Sequence, residues 1–294
     1  MLVSWPVKSL LLIDLFFSAL VSAVSIESMR TVSYAAVPGI PLSQTSLDLY
    51  PCSAEANHLV LYVHGGGWTG GDKKNIFMMP SLFDDRGLCF ASANYPLMSG
   101  DDGVTIIDQQ LNALRLFNEW IDHSMVSGKP PQRVSIIAHS SGAHLVALFD
   151  KRVGWSNSIS HLVLLDSASY ELYSRYRSAS QRYQERINLV LGTSNLNITL
   201  SEKELKMKEV SPALLEAKDR DLSILRILLL NSFRPAKANS AYVLKESYAD
   251  SSGYEVETKS LSLTHRAFIR DLGLNNAYTD IVLNWILGSW LSLI

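Results

Sequence analysis

Cysteine is nearly missing from this chain: Cys52 and Cys89 are the only two among 294 residues. One bridge is the most they can form, and two buried free thiols are the alternative. An excess of charge is missing as well. Lys and Arg number 26 and Asp and Glu 28, a formal net charge of −2, so nothing electrostatic points to a nucleic-acid partner. Internal repeats and low-complexity segments are absent from the sequence. A long hydrophobic run is missing too. The apolar stretch over residues 10–20 is short for a membrane span, which needs about 20 residues. With Lys8 before it and Val21, Ser22 and Ala23 after it, it reads as a signal peptide over residues 1–23, although Asp14 interrupts the run. An uncleaved anchor is the alternative. The expectation is a secreted or periplasmic protein comprising residues 24–294, with no stable span in the mature chain. What the chain does have is apolar content: 47% of it is hydrophobic, ample for one large core and marginal for two domains.

Two short stretches stand out against that background. His64-Gly65-Gly66-Gly67-Trp68 follows the apolar run of residues 58–63, and Ala138-His139-Ser140-Ser141-Gly142 follows the run of residues 134–137. The second stretch leads into a helix-like segment, residues 143–149. A strand, a sharp turn carrying a serine, and a helix hold a hydroxyl above a sheet with a helix N-terminus behind it. Glycines without side chains let backbone N–H groups reach the oxygen of a tetrahedral intermediate. The glycine run lacks the spacing and the Lys-Ser/Thr ending of a phosphate-binding P-loop. Ser140 taken singly could be an N-cap; the ordered pair of motifs has few structural explanations.

The residues Leu47-Asp48-Leu49-Tyr50, His64 to Trp68, Gly71-Asp72-Lys73, Asn94-Tyr95 and the Ser140 turn with His144-Leu145 resemble the α/β-hydrolase superfamily. The nearest branch is the small esterases that include feruloyl and acetyl-xylan esterase-like and kynurenine formamidase-like enzymes. The resemblance is continuous from about residue 34 to 149, with Ala138 in place of the pattern's first glycine. It implies an α/β-hydrolase fold: a mostly parallel sheet with helices on both faces and a small cap insertion, here about residues 170–222. It implies hydrolysis of a small-molecule carboxylic ester, or less often an amide, with no metal and no organic cofactor. In the order of this fold, the strand ending near Cys52 runs antiparallel beside the strand containing Cys89, which would bring the two sulfurs together.

The rest of the chain alternates accordingly. Strands are expected at residues 45–50, 58–63, 87–94, 160–165, 224–230 and 255–263, and helices starting from 72–80, over 105–122 and over 278–293. A serine needs a base, and the base needs a partner that fixes its tautomer. Of seven histidines, His265 alone follows the last expected strand, where the fold presents its base. The family places an acid after the penultimate strand, but this chain has Asn231-Ser232-Phe233-Arg234-Pro235 there. A cation at 234 cannot stabilise an imidazolium. The acid has moved, or the protein works with a dyad, or it is inactive. Asp166, at the end of the strand after the nucleophile, is the candidate. Its alternative role is capping a turn with Ser167 and Ser169, and Glu171 and Asp250 are weaker candidates. Gly66, Gly67 and Ser141 are the expected oxyanion donors. Rival readings are a non-catalytic binding protein on this scaffold and an amidase using the same site. Arg175, Arg177 and Arg182 would suit an anionic acyl group or a solvated helix face. Asn197-Ile198-Thr199 is a glycosylation sequon.

Overall fold

The computed structural model describes residues 29–98, 107–124, 126–193, 198–221 and 223–288. The leader over residues 1–23, Asn197 of the sequon, Thr105, and Trp290 and Leu291 of the expected last helix lie outside them. Strand β3 (His58–Val63) shows how the sheet is built. Leu59, Leu61 and Val63 face one apolar cluster while Val60 and Tyr62 face another. A strand buried on both faces needs cover on both, and alternation with helices supplies it.

In chain order the elements are β1 (Arg30–Ser33), β2 (Ser46–Leu49), β3, α1 (Met79–Asp84), β4 (Cys89–Ala93), α2 (Ile107–His123), β5 (Arg133–His139), α3 (Ser141–Arg152) and β6 (Ile159–Leu165). There follow α4 (Leu172–Arg177), α5 (Gln181–Val190), α6 (Leu200–Glu209), β7 (Leu225–Ser232), α7 (Pro235–Glu246), β8 (Tyr254–Leu261), α8 (Ala267–Arg270) and α9 (Ala277–Leu287). The strands form one eight-stranded sheet in the order β1-β2-β4-β3-β5-β6-β7-β8. Only the β1–β2 and β2–β4 pairs are antiparallel. The fold is the α/β-hydrolase fold.

Helices α2, α3 and α7 cover one face through residues such as Leu114, Phe117, Leu145, Phe149 and Leu244. Helices α1 and α9 cover the other through Phe83, Val282, Leu283 and Ile286. The apolar last helix thus packs on the sheet. It stops at Leu287 because Gly288 adopts the left-handed conformation, φ 78°, of a helix C-cap. Among the described residues no helix is long and apolar enough to cross a membrane. Helices α4, α5 and α6 make up the insertion between β6 and β7.

Some boundaries differ from expectation. Asp72-Lys73-Lys74 does not start a helix. The Asp72 carbonyl and side chain close a turn there, and Lys73 is buried in an ion pair with Asp48. The helix begins at Met79, with Pro80 in its first turn, where a missing N–H costs nothing. Strand β7 runs two residues further than expected, to Ser232, because it is paired along its whole length with β8. Cys52 and Cys89 are bonded, with Cα atoms 5.0 Å apart, as the antiparallel placement of β2 beside β4 implied.

Five histidines are almost fully buried: His58, His139, His144, His161 and His64, the last of them also lowered by burial. Burial, and for His58 the nearby Arg133 charge, pushes His58 down to about 4. Burial likewise takes His144 to about 4 and His139 and His161 to about 3. His58, His139, His144 and His161 are neutral when folded but take up protons on unfolding below their ordinary value near 6.5. The unfolded chain therefore binds more protons between pH 6.5 and about 4, and stability falls as the pH drops through that window. Buried Asp150, pushed up to about 6 by burial, acts in the opposite sense but is one group against four. A thermal-unfolding series is expected to show Tm falling by roughly 10 °C or more between pH 7 and pH 5. A flat profile would show that these rings are protonated in the folded state.

Candidate active site

Parallel pairing brings the C-terminal ends of β3, β5 and β6 to one edge of the sheet. Val63 pairs with Ala138, and His139 with Leu165. The next residues continue the alignment: Ser140 N–H donates to the Leu165 carbonyl (2.8 Å), and Asp166 N–H to that of Leu230 (2.7 Å). Ligand sites of open α/β sheets form at this edge. Here a cavity of about 410 Å³ opens, lined by Gly66, Gly67, Trp68, Ser140, Ser141, Asp166 and His265 among others.

Ser140 stands between β5 and α3 with φ 54° and ψ −116°. It is one of four non-glycine described residues with positive φ; the others are Trp68, Phe77 and Asp166. Three of the four line the cavity. Such backbone strain costs about 1–3 kcal/mol per residue and concentrates where geometry is functional. The elbow also depends on close packing. A methyl group on Gly142 would come within 2.4 Å of the His64 carbonyl oxygen, and one on Gly65 within 2.8 Å of Ser140 Cβ. The glycine loop can therefore lie directly against the turn that carries Ser140. Ala138 is no obstacle: it is a buried residue within β5, paired with Val63, where a side chain fits.

The Asp166 carboxylate does not cap its own turn. Its Oδ1 accepts from Ser232 N–H (2.7 Å), and its Oδ2 faces His265 Nδ1 (2.7 Å) and Lys237 Nζ (2.6 Å). Burial would raise its pKa, but the His265, Lys237 and Ser232 hydrogen bonds outweigh burial and hold it well below the usual carboxylate range. Glu171 is used elsewhere, as the N-cap of α4, and Asp250 is exposed. The His265 backbone is held from behind by His139, whose Nε2–H donates to the His265 carbonyl (3.0 Å) while the two rings lie 4.4 Å apart.

Lys237, on α7, was not foreseen from the sequence, which carries no motif for it. Its ammonium touches the Asp166 carboxylate and carbonyl and lies 2.9 Å from His265 Nδ1. That ring nitrogen cannot donate to Asp166 and accept from Lys237 at once. Two Asp166 oxygens already accept from the ammonium, so Nδ1–H pointing at Asp166 satisfies all three groups. This tautomer leaves His265 Nε2 without a proton. Ser140 and His265 share the cavity wall, and among the described residues no hydrogen bond joins their side chains. Trp68 forms part of the same wall, its indole N–H donating to His144 Nδ1 (3.2 Å). The described residues contain no cluster of metal-ligating side chains.

Residues 47–223, well over half the chain, match the BD-FAE family model. The chain belongs to the BD-FAE family. The matched stretch includes the glycine loop, Ser140 and Asp166, and it ends before His265. Among solved structures, this BD-FAE chain is similar to inhibited esterase B from Lactobacillus rhamnosis, with TM-score 0.64, 14% identity and coverage of 90% of this chain and 88% of that one. It is similar also to butyrate-bound esterase 2 of Thermogutta terrifontis, with TM-score 0.62, 16% identity and coverage of 90% and 96%. The same Thermogutta esterase phosphonylated by sarin aligns with TM-score 0.62 at 16% identity, covering 88% of this chain and 92% of that one. At these identities the likeness is one of fold. A search of curated proteins returned no match to the sequence.

Proposed function

We propose that this BD-FAE chain is a serine hydrolase of carboxylic esters. The observation that carries the reading is the 2.7 Å contact between Asp166 and His265 Nδ1, on the wall of the cavity that also exposes the Ser140 elbow. His265 Nε2 takes the Ser140 proton as Oγ attacks the ester carbonyl. Asp166 holds the ring in the required tautomer and stabilises the imidazolium. The oxyanion falls to the backbone N–H groups of Gly66, Gly67 and Ser141, which line the same cavity. His265 then protonates the departing alcohol. Water releases the acyl group from Ser140 by the reverse path. The esterases similar in fold, one of them phosphonylated by sarin, support this reading. The disulfide between Cys52 and Cys89 supports export to an oxidising compartment, in keeping with residues 1–23 serving as a leader.

An organophosphonate probe tests it directly. One equivalent should label the protein, digestion should place the adduct on Ser140, and short-chain aryl ester hydrolysis should stop in step. Labelling elsewhere with full loss of activity would overturn the assignment.

A further inference from the structure

The charge on the cavity wall is one-sided. Arg175, Arg186, Arg234 and Lys237 line it against a single carboxylate, Asp166. Lys237 and His265 already engage that carboxylate. Among the described residues the three arginines make no ion pair, although Arg115, Arg152, Arg226 and Arg270 do.

All three line the cavity, Arg175 and Arg186 half-buried there and Arg234 exposed at its edge. The Arg175 guanidinium lies over the Tyr183 ring, 4.6 Å from its centroid, and its Nε is buried with no hydrogen-bond partner. Arg186 packs on the glycine loop, so closely that a methyl on Gly67 would come within 2.6 Å of its Nη1. Arg234 precedes α7 at the position where the family's acid is expected, and it faces the cavity. By contrast Arg177 and Arg182, which the sequence grouped with Arg175, do not line the cavity. The field of the cluster is felt by its neighbour. Burial, with Arg234 and Arg175 adding to it, keeps Lys237 below the ordinary ammonium range although Asp166 pulls it up.

Resting on the ester-hydrolase reading, we infer that the cavity selects esters that carry an ionised carboxylate near the scissile carbonyl, with Arg175, Arg186 and Arg234 as its recognition residues. Guanidinium groups match carboxylates in shape and bind them with charge-assisted hydrogen bonds. A cleft lined by one sign of charge also concentrates ligands of the opposite sign.

The test uses the full chain and two substrates equal in acyl length and leaving group, mono-4-nitrophenyl adipate and 4-nitrophenyl hexanoate. The adipate ester should show kcat/KM at least about 10-fold above the hexanoate ester, an advantage that shrinks as salt is raised. In Arg175→Gln/Arg186→Gln, and separately in Arg234→Gln, the ratio of the two values should fall toward unity. A ratio is read because it is insensitive to a partial loss of folded protein. If both esters turn over and the hexanoate is equal or better in the unaltered protein, the selectivity inference falls and the esterase reading stands. If the ratio survives in both variants, the arginines are not its source and the inference falls. If neither ester turns over, the hydrolase reading falls and takes the inference with it.

Discussion

Replacing Asp166 by asparagine is expected to lower kcat about 10,000-fold with little change in KM, the size of effect seen when the orienting carboxylate of a Ser-His-Asp triad becomes an amide. Asparagine fits the space, but its amide N–H₂ would donate to His265 Nδ1. The ring would then carry its proton on Nε2 and could not accept one from Ser140. The substitution also leaves the Lys237 ammonium, only 12% exposed, without its counter-ion. Breaking a buried pair on one side costs several kcal/mol, so part of the loss could be mistaken for poor folding. The double variant Asp166→Asn/Lys237→Met separates the two effects. It should recover most of the Tm and none of the turnover. Turnover within about tenfold of the unaltered protein in Asp166→Asn would favour a dyad and leave Asp166 as a structural partner of Lys237.

Ser140→Ala should abolish measurable ester hydrolysis, a fall of up to about a millionfold if the serine is the nucleophile. Stability should hardly move. The Ser140 hydroxyl makes no hydrogen bond among the described residues, and alanine inherits the same strained backbone at φ 54°. Ser140→Gly, free of that strain, should if anything raise Tm. An inactive variant with unchanged or raised Tm is the signature of a residue kept for chemistry rather than for the fold. Activity persisting in Ser140→Ala would move the nucleophile elsewhere.

How much could be read from the sequence depended on whether its signal was local. The strand-turn-helix around Ser140 and the glycine loop were legible because apolar runs and glycines sit within a few residues of each other. The Cys52–Cys89 bond was legible only through the strand order that the family resemblance supplied. Helix α1 was misplaced because Asp72-Lys73-Lys74 looks like a charged first turn. Lys73 instead points inward to Asp48, a tertiary pairing that overrides local preference. Arg234 breaks the sequence pattern of the triad, and in the structure it is an exposed residue that lines the cavity with Arg175 and Arg186.

By itself the sequence determined the alternating α/β order, the elbow and the histidine that follows the last strand, because periodicity, turn chemistry and chain order are one-dimensional. The closing of Asp166 on His265 across 99 residues, and the arrival of Lys237 between them from α7, were decided only by the tertiary structure. Which side chains share a hydrogen bond at that distance depends on the register and twist of the whole sheet, and no local pattern encodes it.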